Sequence, residues 1–289
     1  MATGDRNARA SWSGVVARTR EALGTAMRAI GRRDVNVAAA QLTYFGGIAI
    51  VPWLLLACWS TTWFGGASAS ETWLLDLQVL VPPDMGAREP FRQLVQAGVG
   101  LGWVGALAAL IPATFYGEGI RRGCLSLLPA SDRFTGWRAR AAILPLLVIA
   151  PPLAIASVHL SSTLVDLAAR DGVWPHLARI VISFTITWLA LALPLAWTYR
   201  QVAPGYLPWT SAALGGLATA SFLAGFLQGF LLFLSIPVDV GVPFGGLDVV
   251  GGTVAAAFWL FLLHLVLLVG WVVTVEVDER LRRPDAEPA

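Results

Sequence analysis

The chain contains no lysine, only two cysteines and three histidines, and charged residues make up 13% of its 289 positions. Each scarcity excludes something. An average soluble domain carries roughly 25% charge, so this chain has too little charge to clothe a soluble core. Two isolated thiols, Cys58 and Cys124, cannot alone hold a metal. Their placement at opposite ends of successive apolar stretches predicts that they face opposite sides of a membrane and stay unpaired. His159, His176 and His264 fall in different segments, and no HExxH, paired CxxC or Walker-type sequence occurs. The expectation is a protein that is not an enzyme and has neither metal nor other cofactor.

What is abundant is apolar sequence, with 56% hydrophobic residues and a mean hydropathy of +0.68. A hydrocarbon core of about 30 Å needs about 20 apolar residues per helix. Six runs qualify: Ala38 to Trp63, Gly98 to Tyr116, Ala141 to Thr163, Arg179 to Tyr199, Thr210 to Ser235 and Val249 to Val275. They do not alternate as barrel strands do, so they read as helices that satisfy their own backbone. Of the 20 arginines, Arg88, Arg92, Arg170 and Arg179 fall in outer gaps and all the others in the alternate ones. Arginine collects on the cytoplasmic side, which predicts that both termini are cytoplasmic. Because the basic charge is spread over span flanks, as orientation alone requires, no nucleic-acid partner is expected. The exclusive use of arginine fits forks onto lipid phosphate. It fits better the codon usage of a GC-rich bacterial genome, which the Ala and Gly richness supports.

The fold class expected is an all-α membrane protein with six transmembrane helices, several of them Pro-kinked. It divides into a basic cytoplasmic amphipathic leader (1–35), a transmembrane domain (36–275) and a charged cytoplasmic tail (276–289). In the leader, Trp12, Val16, Leu23, Met27 and Ile30 recur at helical spacing among arginines. This suits a helix lying on an anionic inner leaflet, or one docked on the protein's own cytoplasmic surface. Ala67 to Ser70 mimics a cleavage site, but the apolar run before it is too long for a signal peptide, so the first span is expected to stay as an anchor. Glu71 to Val81 is too short to span and reads as a short outer interfacial helix stopped by Pro82 and Pro83.

Pro52, Pro112, Pro145, Pro151, Pro152 and Pro194 sit inside spans. Each removes an N–H and frees a carbonyl, which could line a cavity or serve packing alone. Gly98 and Gly102, Gly216 with Ala220 and Ala224, and Gly225 with Gly229 are spaced for close helix contact, within one chain or between two.

Polar groups at membrane depth are costly and therefore informative. His264 lies near the middle of the last span and Gln228 in the outer half of the fifth. Either is a hydrogen-bonded packing residue or a transport residue. Glu118, Arg121 and Arg122 stand at i, i+3 and i+4, so they pair locally if helix continues. They either end a span or form a lipid-phosphate or gating site.

Ala38-Ala-Ala-Gln-Leu-Thr-Tyr44-Phe-Gly-Gly-Ile-Ala49-Ile-Val-Pro52, with its Tyr followed eight residues later by Pro, resembles the opening signature of the YihY/BrkB family. Pro204-Gly205, Trp209, Gly215-Gly216, Phe244-Gly245-Gly246 and the run from Trp259 to Gly270 are similar to that family's last two helices. Phe115-Tyr-Gly-Glu118-Gly-Ile-Arg121-Arg122 sits where the family has a polar break after its second span. The resemblance covers about Asn36 to Val275. Departures include Ala49 for the family's Ser, Phe244 for Tyr, and Val272 where an acidic residue is usual.

The resemblance implies a six-helix protein of the bacterial plasma (inner) membrane linked to envelope integrity, with transport of a lipid or envelope component suspected. The resulting expectation is a non-catalytic protein that handles a lipid-like or amphiphilic substrate, with membrane lipids as partners. Tyr44, Glu118, Arg121, Arg122, Gln228 and His264 are the candidate substrate-binding residues. The alternative is a membrane scaffold acting through homo-oligomerisation or partner binding. A third reading, an intramembrane enzyme, requires His264, Gln228 and Glu118 to converge.

Overall fold

The computed structural model describes residues 20–21, 24–28, 31, 34–80, 88–128, 136–146, 148–149, 153, 173–234 and 241–282, and these are helical or turn-forming, with no strand among them. In chain order they form α1 (Val35–Asp76), a 3-10 turn (Leu77–Leu80), α2 (Arg88–Val99), α3 (Trp103–Leu127), α4 (Gly136–Ala142) and α5 (Val173–Trp197). A π turn (Thr198–Val202), α6 (Trp209–Leu234), a 3-10 turn (Val242–Phe244) and α7 (Asp248–Arg282) complete the order. Five of these helices, α1, α3, α5, α6 and α7, are long and apolar enough to cross a membrane. The expected third span, Ala141 to Thr163, lies mostly outside the described residues, as do most of the leader, Pro151 and Pro152.

Asp34 caps α1, its carboxylate accepting from the Val37 N–H, which satisfies one of the donors orphaned at a helix start. The helix then runs 42 residues with one break, at Gly66, where φ is +76°. Only glycine tolerates that conformation cheaply, so the chain turns there and a short second half follows. This second half replaces the expected interfacial helix and starts earlier than Glu71. It packs on α2, with Leu74 buried in one cluster with Val95 and with Cys58 of the first half, and Gln96 donating to Glu71. α2 is a separate helix that hydropathy does not reveal, and the second span begins at Trp103 rather than at the expected Gly98. Extended backbone at Gly102 separates the two helices. Gly98 packs on Cys58, as its small size requires, while Gly102 meets nothing.

Contacts fix the direction of each helix. Along α1 and α3, Trp63 meets Trp103, Trp53 meets Ala113, and Phe45 meets Gly119, so the two run antiparallel. Thr43 against His264 and Gly46 against Leu260 set α7 antiparallel to α1. Gly270 against Thr219, Gly215 against Thr274, and Ser211 against Asp278 set α6 antiparallel to α7. Trp188 against Leu217 and Trp197 against Trp209 set α5 antiparallel to α6. α7 is thus the central element, touching α1, α3 and α6. Its Leu268, Trp271 and Val272 are buried in the largest core cluster with Leu42, Ile120, Tyr199 and Val202.

Tryptophan indoles act as cross-pins. Trp53 donates to the Ala113 carbonyl at 3.1 Å, Trp188 to Leu217 at 2.7 Å and Trp197 to Ala142 at 2.8 Å. Such interhelical bonds average about 0.6 kcal/mol each in membranes. They also set rotation, because an indole reaches only one carbonyl. Pro52, Pro112 and Pro194 lie inside α1, α3 and α5.

As far as Arg282, the last described residue, the expected tail continues α7. Its 35 residues rise roughly 52 Å, well beyond the hydrocarbon, so the last turns are charged. Asp278 accepts from Ser211 and pairs with Arg282. Arg280 donates to Thr25 and faces Glu21. Ala26 is fully buried in the core cluster while Met27 is exposed. Where it is described, the leader therefore docks on this chain's own α7, and Ala26 rather than the expected Met27 faces inward.

Candidate functional site

Three clusters of side chains stand out. In the first, His264 is buried at the junction of α1, α3 and α7. Its Nδ1 lies 2.9 Å from the Thr43 hydroxyl and its Nε2 3.1 Å from the Tyr116 hydroxyl. Thr43 donates to the Ala39 carbonyl at 2.8 Å, so its lone pair is left to accept from Nδ1–H. Nε2 then accepts from Tyr116. A neutral imidazole in that one tautomer satisfies every group. Gly46 admits the ring: a Cβ there would sit 2.9 Å from Cε1. A satisfied, enclosed histidine pins three helices together.

In the second cluster, Glu118 is buried on α3, and its carboxylate takes a two-point fork from Arg121, Nε and Nη2 both at 3.0 Å, plus Arg122 Nε at 2.6 Å. Bidentate geometry makes such pairs strong. Whereas hydropathy ends the second span at Tyr116, α3 continues to Leu127 because this carboxylate is neutralised within its own turn. Gly136, the first residue of α4, rests on the carboxylate, and Gly117 touches the backbone of Ala139. The Arg121 side chain is largely covered, whereas that of Arg122 is 54% exposed and leans toward the Phe45 ring.

The third cluster is one that sequence reasoning misses. Trp59, Trp63 and Trp103 form an aromatic triad with ring centroids 4.7 to 6.2 Å apart. They line a groove of about 240 Å³ with Leu56, Leu107, Leu110, Leu144 and Val148. Its one hydroxyl, that of Ser60, donates to the Ala57 carbonyl, and the surface of the groove is almost wholly apolar. Trp63, Trp103 and Leu107 are each more than half exposed, so the groove opens sideways. The cue in the sequence is a tryptophan at each end of the connection between two spans, but only the fold shows that they meet.

The remaining expected residues join none of these clusters. Tyr44 is 67% exposed, edge-on to Phe45, and its neighbour Thr43 reaches His264 instead. Gln228 is half-buried on α6. Tyr116 and Glu118 lie two residues apart, about 200° around the helix, so the His264 and Glu118 clusters share no side chain. Among the described residues no three His, Cys, Asp or Glu side chains are placed to share a metal ion, and Cys58 and Cys124 are free and buried. On α2, Arg92 donates to Glu89 and holds that carboxyl below its ordinary value.

The long apolar helices, their central charge-neutralised turn and the family likeness converge. A family model described as virulence factor BrkB matches residues 26–289. This chain belongs to the BrkB family. It is therefore a multi-pass membrane protein, and the YihY/BrkB resemblance of its first span and last two helices is accounted for. No curated relative and no solved structure matches the chain. For this BrkB-family member the clusters above are what its own geometry offers.

Proposed function

We propose that this protein handles a lipid-like or amphiphilic substrate in the bacterial plasma membrane, contributes to envelope integrity, and is not an enzyme. The observation that carries this reading is the groove of Trp59, Trp63 and Trp103. It lies between two membrane-crossing helices and its surface is almost wholly apolar, so water gains little there and a hydrocarbon chain does. Its size falls below the roughly 300–1,000 Å³ of typical small-molecule pockets, which favours a slender acyl chain. Membrane lipids are the partners, and no nucleic acid or cofactor enters the reading. The satisfied hydrogen bonds of His264 favour a packing role, and its separation from Glu118 weighs against intramembrane chemistry.

Six spans with both termini cytoplasmic fit the helix directions. α1 runs antiparallel to α3 and α7, and α5 runs antiparallel to α6, which opposes α7. Thus α3 and α5 point the same way, which supports one further span between Leu127 and Val173. With α1 and α7 opposed, the two ends of the chain share a side. Arginine placement makes that side the cytoplasm.

The test is photo-crosslinking with a phospholipid carrying a diazirine in its acyl chain. Adducts should map to Trp63, Trp103 or Leu107 and fall several-fold when Leu107→Trp fills the groove. Adducts spread evenly over the helices, and unchanged by that substitution, would overturn the reading.

A second reading rests on Gly225 and Gly229, which are exposed and would meet nothing within 4 Å if each carried a Cβ. That open face would suit homo-oligomerisation in a scaffold. Gly225→Leu with Gly229→Leu should then dissociate the assembly, whereas lipid handling would survive it.

A further inference from the structure

Several described arginines meet carboxylates: Arg121 and Arg122 at Glu118, Arg282 at Asp278, Arg280 at Glu21, Arg92 at Glu89. Arg200 and Arg140 meet aromatic rings instead. Arg200 leaves the π turn with its Cζ 4.5 Å from the Tyr206 ring centre and 5.6 Å from that of Trp209. Its Nε is buried and has no hydrogen-bond partner. Arg140 on α4 lies with its Cζ 4.2 Å from the Phe115 ring centre. The indole of Trp197 donates to the Ala142 carbonyl and clamps α4 against the start of that π turn. The two guanidinium groups thus belong to elements packed together, with no carboxylate on either.

A ring beneath a guanidinium fixes its plane but accepts none of its five N–H donors. A planar fork held in place with donors unused, one of them already out of water, matches a phosphate better than any neutral group. Tyr206 and Trp209 are 61% and 50% exposed, as suits aromatics at headgroup depth. Arg200 also lies in a gap that the arginine distribution places on the cytoplasmic side.

We propose that Arg200, with Arg140 on the helix packed beside it, forms an anion site for a phosphate group, either the headgroup of an anionic lipid in the inner leaflet or free orthophosphate. The site deepens the lipid-handling reading and rests on it only for the lipid as source. Arg200 supplies the fork, Tyr206 and Trp209 hold it, and Arg140 adds a second charge.

The test is native mass spectrometry of the full chain in detergent with phosphatidylglycerol, phosphatidylcholine or orthophosphate. Arg200→Gln, Arg200→Lys and Arg140→Gln are compared with Arg92→Gln, which makes the same charge change on α2. Wild type should retain phosphatidylglycerol over phosphatidylcholine by about fivefold to tenfold, a preference worth one or two cationic contacts. Arg200→Gln and Arg140→Gln should lose most of that preference, Arg200→Lys part of it, and Arg92→Gln none. Orthophosphate that fails to displace the lipid assigns the site to a headgroup. Orthophosphate that displaces it, and whose own adducts vanish in Arg200→Gln, assigns the site to free phosphate. Equal retention of the two lipids by wild type overturns the anion site but leaves acyl-chain binding intact, as does undiminished preference in a folded Arg200→Gln. If Arg200→Gln does not fold, unchanged preference in both Arg200→Lys and Arg140→Gln overturns it. Retention of no lipid and no phosphate overturns both this site and the lipid reading.

Discussion

Thr43 and His264 are 221 residues apart in the chain and 2.9 Å apart in space, Oγ1 to Nδ1. That contact joins the first span to the last, and with Tyr116 it ties in α3. The imidazole is therefore a three-helix fastener whose donors and acceptors are all used.

The fastener predicts coupling. Thr43→Val and Tyr116→Phe should each destabilise the fold by about 0.5–2 kcal/mol, the range for interhelical hydrogen bonds in membranes. In a His264→Phe background each should cost much less. Unfolding in mixed micelles measures this, and strictly additive losses would show that the bonds are not made. Gly46→Val should be worse than any of these, because its side chain would enter the space of the ring.

Glu118 predicts an asymmetry between two adjacent arginines. Arg121→Gln removes the two-point fork and leaves the buried carboxylate with Arg122 alone, so it should cost about 1.5–3 kcal/mol, the range for hydrogen bonds to charged groups. Arg122 is half exposed, so solvent screens its contribution and Arg122→Gln should cost under about 1 kcal/mol. Adding Glu118→Gln to Arg121→Gln should restore part of the loss, since no buried charge then remains and the exposed Arg122 is solvated. The same unfolding assay reads all these proteins, and equal costs for the two arginines would contradict the geometry.

Glycines divide into two groups by what surrounds them. Gly270 lies against the Thr219 hydroxyl and Gly117 against the backbone of Ala139, while Gly225 and Gly229 face open space. Gly270→Ala should destabilise by about 1–3 kcal/mol, as overpacking does, and Thr219→Ala should relieve it in part, because the Tyr199 hydroxyl also lies against Gly270. Gly117→Ala should have no comparable suppressor, because its obstacle is backbone. Gly225→Ala should be neutral in folding. Thermal stability in detergent checks the series.

Much of the fold is legible in the sequence because a twenty-residue apolar run is a strong physical signal. The five candidate spans coincide with runs identified from hydropathy. Their ends are less legible, for identifiable reasons. Glu118 looks like a terminus because its charge is visible in the sequence and its neutralisation by Arg121 and Arg122 inside a continuing helix is not. α2 escapes notice because it is polar, and a run begun at Gly98 merges its last residues into the next span. Among the site residues, His264, Glu118, Arg121 and Arg122 are structurally engaged, whereas Tyr44 points outward. Which of Thr43 and Tyr44 meets His264 depends on the rotation of α1, set by tertiary pins such as Trp53 to Ala113. The tryptophan groove and the packing of α4 on the π turn of Arg200 join residues far apart in sequence, and local periodicity carries no trace of either.

The proposed topology, on which every reading depends, is a chain that enters and leaves its membrane from the same, arginine-rich side. Reporter fusions at Met1, at Ala289 and within α2 test it most directly in intact cells. Both terminal reporters should be active only in the cytoplasm and the α2 reporter only outside, whereas termini on opposite sides, or an α2 reporter inside the cell, would contradict the account.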